Sequence, residues 1–179
     1  MKSVLELKHW HIFMTIIVIS FLSEINLESL PFVNPFLSLL SILVILLWPL
    51  SLGYEMNHLL PLKMKLSPTL FILNGFIIMT ALCLSTVLGQ DLSYSGNGLS
   101  AIPVFYGIFA ILHLFAFPAK MLKSLELGRV AHFGDYAGDF FLFLFWPIGI
   151  WVIQPRVNKI KEKIDLQELI ASSDTGRTI

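Results

Sequence analysis

Long apolar runs separated by short polar loops constrain this chain more than any other feature. Four of them cover residues 10–22, 36–54, 69–88 and 101–117, and a fifth run covers 140–153. A helix needs about 20 mostly apolar residues to cross a bilayer, and it satisfies its own backbone hydrogen bonds there. The pattern predicts an all-α, polytopic membrane protein.

Composition supports this prediction and narrows the function. The 179 residues are 56% hydrophobic and 13% charged, which is unusual for a soluble protein of this length. The 12 basic and 12 acidic side chains balance, so the chain has no net positive charge that would attract nucleic acid. Cys83 is the single cysteine. The sequence contains no P-loop, G-x-S-x-G, H-E-x-x-H or cysteine pair. We therefore predict no catalytic residue, no metal ligand and no cofactor.

The second, third and fourth runs are long enough or nearly long enough to cross a membrane, and the first approaches that length together with its flanking residues. We predict helices at about 9–27, 36–57, 69–89 and 101–120, in one bundle that forms a single membrane domain over residues 1–154. Pro49 is expected to kink the second helix and Pro118 to end the fourth, because proline lacks the N–H that an interior turn needs.

Charge placement predicts the topology. Lysine and arginine collect at the N-terminus, after the second helix and after the fourth: Lys2, Lys8, Lys63, Lys65, Lys120, Lys123 and Arg129. The intervening loops carry Glu24, Glu28 and Asp91 and no basic residue. Because basic residues favour the cytoplasmic side, four spans with a cytoplasmic N-terminus fit these counts, and a bacterial inner membrane is the expected location.

The fifth run creates a conflict, because basic residues follow it at once. If it crossed the membrane, the tail would lie outside, against the charge rule. We predict that residues 135–154 form a broken segment, re-entrant or interfacial, that turns at Pro147 and Gly149. A fifth transmembrane helix is the alternative.

The tail is expected to be cytoplasmic. Val157, Ile160 and Ile164 repeat at helical spacing, which predicts an amphipathic helix on the membrane surface over 155–171. Residues 172–179 are expected to be disordered. Basic side chains of the tail are candidates for contact with anionic lipid or a partner: Arg156, Lys159, Lys161 and Lys163.

A second set of candidates would share the cytoplasmic ends of the helices. This candidate polar face comprises Glu55, His58, His113, Arg129, Asp135 and Asp139. Glu55 and His58 have the Glu-x-x-His spacing of bundle metal sites, but the motif occurs once where a di-iron site needs it twice. His113 is better explained as a core histidine bonded to a neighbouring helix than as a haem ligand.

Asp135 and Asp139 are four residues apart and share a helix face. They are expected either to cap the N-terminus of the last apolar helix or, as boundary carboxylates, to serve a metal-dependent site. In the third helix, Asn74 is predicted to hydrogen-bond across helices. Gly75 is predicted to allow close approach, with Gly107 as its packing counterpart.

The C-terminal part of the chain carries a distinctive run, LELGR at 125–129 followed by GDFFLFLFWPIGIWVIQPRVN at 138–158. It resembles the C-terminal signature of small uncharacterised multi-pass inner-membrane proteins of Bacteroidota-type bacteria. The resemblance implies a bacterial inner-membrane location, and it implies no activity.

These observations favour a non-enzymatic membrane subunit or scaffold that binds a partner protein or anionic lipid at its cytoplasmic face. Membrane lipid, a protein partner and a second copy of the chain are the expected partners. A small oligomeric channel or transporter is the alternative, and a metal-dependent membrane enzyme that uses the face of Asp135 and Asp139 is a second one.

Overall fold

Six α-helices make up most of the structure. The computed structural model describes residues 4–24, 33–88 and 98–175, and these ranges contain no strand. The helices are α1 (His9–Ser23), α2 (Val33–Leu59), α3 (Thr69–Leu88), α4 (Ile102–Leu127), α5 (Phe133–Leu144) and α6 (Trp146–Thr175). Short 3-10 turns, Val4–Glu6 and Gly98–Ala101, precede α1 and α4. The predicted all-α class is confirmed.

Three helices are long and apolar enough to cross a membrane. They are α2, α3 and α4, with 27, 20 and 26 residues. The apolar helix α1 has 15 residues, which span about 22 Å at 1.5 Å per residue and so fall short of a hydrocarbon core of roughly 30 Å. Its predicted extension to residue 27 lies outside the described residues.

The helices α2 and α4 form the centre of the bundle. α2 packs against α1, α3 and α4, and α4 packs against α2, α3 and α5. The ring of Phe71 on α3 stacks on the ring of Phe117 on α4, with centroids 4.3 Å apart. A Cβ on Gly53 of α2 would lie 2.8 Å from the Phe71 ring, so the missing side chain brings the helix against this aromatic pair.

The end of α4 differs from the prediction. The helix continues through Pro118 to Leu127 instead of ending near residue 120. Proline removes a single hydrogen bond, whereas the residues that follow it are mostly good helix formers. Gly128 ends the helix, because it adopts the left-handed conformation (φ 65°) and its N–H bonds to the carbonyl of Ser124. α2 likewise continues through Pro49.

The last apolar segment is a helical hairpin. α5 and α6 pack against each other, and the chain turns at Phe145, whose carbonyl accepts hydrogen bonds from the N–H groups of Ile148 and Gly149 at 3.1 and 2.9 Å. The predicted turn at Pro147 and Gly149 is therefore wrong by a few residues. Proline fits the first turn of a helix, where its missing N–H costs no hydrogen bond, and Pro147 lies in the first turn of α6 after the break.

Gly149 serves close packing rather than a turn. A Cβ at this position would lie 1.8 Å from the carbonyl oxygen of Leu142, which is backbone of the opposing helix and has no rotamer to change. Any side chain at residue 149 therefore forces α5 and α6 apart.

The helix α6 also contains the predicted tail. Residues 155–171 do not form a separate helix but continue α6, and helix extends over 172–175 where disorder was expected. Residues 176–179 lie outside the described part. The buried residues Ile150, Ile153 and Val157 form the core-facing stripe of α6, and Ile160 extends it. The orientation of the tail is therefore set by packing in the bundle.

Replacing Gly149 with alanine tests the hairpin contact. We expect Gly149→Ala to destabilise the protein by about 1–3 kcal/mol, the usual cost of overpacking a well-filled core. Thermal unfolding in detergent measures the loss. The matched control is Gly138→Ala in α5, where an added Cβ meets nothing within 4 Å and alanine improves helix propensity. Equal stability of the two variants would contradict the hairpin geometry.

Candidate functional site

The C-terminal end of α4, the middle of α5 and the first half of α6 meet in an ion-pair network, defined here as Lys123, Glu126, Asp139 and Arg156. Arg156 donates to Glu126 from Nε (2.8 Å) and Nη2 (2.9 Å). It donates to Asp139 from Nη1 (2.5 Å) and Nη2 (3.1 Å). Lys123 adds a bond to Glu126 at 3.1 Å. One guanidinium thus joins three helices with bidentate geometry on both carboxylates.

Burial makes this network stronger than a surface ion pair. The side chain of Asp139 is 9% exposed and that of Arg156 is 27% exposed. Hydrogen bonds donated to Asp139, followed by those to Glu126, raise the pKa of Arg156 above its ordinary value although burial lowers it. Arg156 was expected to contact lipid or a partner. The structure corrects this assignment, because the guanidinium is occupied inside the protein.

Arg129 and Asp135 form a separate pair at the start of α5. Arg129 donates to both carboxylate oxygens at 2.9 and 3.2 Å, and the N–H of His132 donates to Asp135 at 2.9 Å. These bonds, those from Arg129 first, lower the pKa of Asp135. The expected capping role is confirmed for Asp135. Asp139 does not cap the helix, since it pairs with Arg156.

A buried amide ties the N-terminal segment to α6. Gln154 is 0% exposed, and its Nε2 donates to the carbonyls of Val4 (2.8 Å) and Leu7 (3.0 Å), while its Oε1 accepts from the indole of Trp48 (3.2 Å). Asn158 adds a bond to the carbonyl of Leu7 at 3.1 Å. The sequence prediction missed this cluster, although a glutamine at the end of an apolar run is a detectable signal.

A polar triad lies between α3 and α4. Tyr106 donates to Oδ1 of Asn74 at 2.7 Å, and Nδ2 of Asn74 lies 3.1 Å from Nδ1 of His113. Asn74 is 0% exposed, so these bonds satisfy an amide that would otherwise be costly to bury. The predicted cross-helix bonds of Asn74 and His113 are confirmed.

The glycines of α3 and α4 differ in their packing. A Cβ on Gly75 would lie 2.5 Å from Leu50 of α2, so Gly75 does allow close approach. A Cβ on Gly107 would meet nothing within 4 Å, so the predicted pairing of Gly107 with Gly75 is wrong. The counterpart of Gly75 is a leucine on a different helix.

The candidate polar face does not form one site. Arg129 and Asp135 pair with each other, Asp139 pairs with Arg156, and His113 pairs with Asn74. Glu55 and His58 lie near the end of α2, where the ring of His58 packs edge-on against Tyr54 with centroids 4.5 Å apart. Within residues 4–24, 33–88 and 98–175, no group of three or more His, Cys, Asp and Glu side chains could hold a metal ion.

The three lysines of the tail differ in their surroundings. Lys159 and Lys163 are exposed, whereas Lys161 forms an ion pair with Asp165 one turn later. The hydrogen bond to Asp165 raises the pKa of Lys161. Two of the four predicted contact residues, Lys159 and Lys163, therefore remain free to meet another molecule. Comparisons of the chain with protein families, with curated proteins and with solved structures found no match.

Removing one carboxylate of the network tests its contribution. We expect Asp139→Asn to lower the free energy of unfolding by about 1–3 kcal/mol, less than the 3–5 kcal/mol of a fully buried pair because Glu126 still binds Arg156. The control Asp135→Asn should change it little, since asparagine can still accept the His132 N–H bond. Denaturant titration of both variants, combined with Arg156→Gln in a double-mutant cycle, measures the coupling. Additive losses from Asp139→Asn and Arg156→Gln would contradict the pairing.

Hydrogen exchange tests the role of Gln154. Gln154→Leu removes the side-chain donor of the Val4 carbonyl and one of the two side-chain donors of the Leu7 carbonyl, so we expect faster amide exchange over residues 4–12, with the amides of α3 unchanged. Gln167→Leu, an exposed position of the same helix, is the control. Unchanged exchange at the N-terminus would show that the cluster does not hold this segment.

Proposed function

We propose that this protein is a non-enzymatic, multi-pass subunit of a bacterial inner membrane that presents the C-terminal half of α6 to a partner protein. In this proposal α2, α3 and α4 cross the bilayer, α1 crosses it together with the residues that flank it in the sequence, and both the N-terminus and the end of α6 are cytoplasmic. The observation that carries the proposal is an exposed apolar stripe on a helix that is fixed in the core at its other end.

The hairpin supports a re-entrant arrangement. Its tip is apolar and exposed, with Phe145 at 61% and Ile148 at 65%. Charged pairs lie away from the tip, with Asp139 and Arg156 at the middle of α5 and Asp135 and Arg129 at its start. The twelve residues of α5 extend about 18 Å. This length equals roughly one half of a hydrocarbon core of about 30 Å together with part of the headgroup region on one side. If the tip lies in lipid and the start of α5 lies at the cytoplasmic surface, the apolar and the charged residues each have a suitable environment. This arrangement also leaves the end of α6 in the cytoplasm.

The exposed half of α6 has a firm base. Residues 157–175 follow Arg156 in the same helix and extend about 28 Å. Arg156 and Gln154 hold the start of this stretch through the ion-pair network and the N-terminal segment. A helix anchored in this way loses little conformational freedom on binding, which favours affinity for a partner.

The exposed stripe has the pattern of a helix that docks into a groove. Leu166, Leu169 and Ile170 are 59%, 65% and 55% exposed, and their spacing of i, i+3 and i+4 places them on one face. Lys159 and Lys163 lie on the same face nearer the bundle. We therefore infer a partner with an apolar groove bordered by acidic residues.

Charge balance favours a protein over a lipid surface as the occupant of this stripe. Three lysines in the tail are matched by three acidic residues, Glu162, Asp165 and Glu168, and one of the lysines is paired internally. Each free lysine adds about 1 kcal/mol near an anionic membrane, and the acidic residues oppose that attraction.

The two alternatives receive less support. A metal-dependent enzyme would use the carboxylates of Asp135 and Asp139, and an arginine engages each of them separately. A channel or transporter assembled around the hairpin would need a polar path. The hairpin tip instead presents Phe145 and Ile148.

Site-specific photo-crosslinking in native membranes tests the proposal. A photoreactive amino acid is placed at position 166 or 170 on the stripe, and at position 168 on the opposite, also exposed, face as the matched control. We expect a discrete protein adduct from positions 166 and 170 alone. Leu169→Glu in the same chain should reduce its yield at least about fivefold, because hot-spot residues cost more than about 1 kcal/mol when altered.

Three outcomes would overturn the proposal. If position 168 gave as much protein adduct as positions 166 and 170, the partner would contact α6 without using one face of the helix. Adducts to lipid alone would place the tail on the membrane surface. Adducts that Leu169→Glu leaves unchanged would show that the stripe does not carry the contact.

A further inference from the structure

Two clefts adjoin on the outer face of α4. The first, about 240 Å³, lies between the start of α3, α4 and α5, and its polar lining comprises Ser67, His113, Lys120 and Tyr136. The second, about 330 Å³, lies between α4 and α5 and is lined mainly by Phe109, Leu112, Phe133 and Phe140. His113 and Ala116 line both clefts, so the two adjoin at these side chains.

The polar cleft contains a cation without an acidic partner. Within the described ranges, the ion pairs use Lys123, Arg129, Arg156 and Lys161, and none uses Lys120. A lysine at a membrane boundary is a strong ligand for a phosphate oxygen, and neighbouring hydroxyl groups of Ser67 and Tyr136 can donate to the same group.

His113 adds a further donor. With the Asn74 amide oriented so that Oδ1 accepts from Tyr106, Nδ2 donates to Nδ1 of His113. The neutral ring then carries its proton on Nε2. The triad thus holds the imidazole in a fixed orientation at the junction of the two clefts, and its second nitrogen remains available for an oxygen acceptor.

The dimensions match one leaflet of a bilayer. Lys120 and Phe109 are separated by about 16 Å along α4 at 1.5 Å per residue. Half of a hydrocarbon core of roughly 30 Å is about 15 Å. A molecule with an anionic head at Lys120 and an acyl chain toward Phe109 would therefore lie at the depth that a phospholipid occupies in one leaflet of the membrane.

We propose that the two clefts together bind one anionic phospholipid, with its phosphate at Lys120, Ser67 and Tyr136 and an acyl chain against Phe109, Leu112 and Phe140. This site rests on the proposed membrane position of α4, and it is independent of the partner surface on α6. A free phosphate would use the polar cleft alone, whereas a phospholipid uses both.

Native mass spectrometry of the delipidated full-length protein tests the proposal. The probes are phosphatidylglycerol, phosphatidylcholine and inorganic phosphate as a competitor. We expect one phosphatidylglycerol per chain to bind in preference to phosphatidylcholine, and Lys120→Gln to weaken that binding about fivefold, in line with one cation near the surface. Lys123→Gln, which removes a charge paired with Glu126 one turn away, is the matched control and should leave the affinity unchanged.

A second variant examines the apolar cleft. Ala116→Leu narrows both clefts and should also reduce binding of phosphatidylglycerol, with thermal unfolding used to check that the variant is folded. Inorganic phosphate that competes fully while Ala116→Leu has no effect would identify a free phosphate site and overturn the lipid proposal. Equal binding of both lipids, unaffected by Lys120→Gln, would identify unselective lipid contact and overturn it as well. Neither result bears on the crosslinking of α6.

Discussion

The bidentate contacts of Arg156 with Asp139 and Glu126 are the interaction on which the C-terminal architecture depends. They join α4, α5 and α6 at one point, where a single guanidinium satisfies two carboxylates that would be costly to bury alone. The buried stripe of α6 packs in the core, and the contacts of Arg156 fix α6 against α4 and α5 at one position along its length. Together they determine how α6 leaves the bundle, and the proposed docking function follows from that direction.

Polar groups in the apolar bundle occur as satisfied clusters. Asn74, Tyr106 and His113 form one, and Gln154 forms another with Trp48 and the N-terminal carbonyls. When helices lie in lipid, an apolar side chain gains little free energy by moving from the lipid into a helix–helix contact. Hydrogen bonds and close glycine contacts therefore provide much of the specificity between such helices. The positions of Gly53, Gly75 and Gly149 follow the same principle, since each allows a neighbouring helix to approach.

Sequence reasoning predicted the features that depend on local composition. Apolar runs placed α2, α3 and most of α4. Helical spacing indicated a helix through Val157 and Ile160, but these side chains pack in the core and not on a membrane surface as expected. Sequence reasoning failed where a residue type is compatible with two structural roles and only the tertiary contacts of that residue decide between them. Pro147 was predicted to lie in a turn, although it lies in the first turn of α6. Arg156 was predicted to contact lipid or a partner, although it forms an ion pair with Asp139, 17 positions earlier in the chain. Pairing across such distances has no periodic signal.

The bonds of Gln154 to Val4 and Leu7 join residues 150 and 147 positions apart. During synthesis at about 5–20 residues per second, the N-terminal carbonyls would wait roughly 8–30 s before their partner is translated. The helix α1 therefore forms and packs against α2 before Gln154 is available, and α6, which is made later, completes the environment of α1. A chain truncated before α6 would thus leave the segment of Val4 and Leu7 without the side-chain donors that hold it.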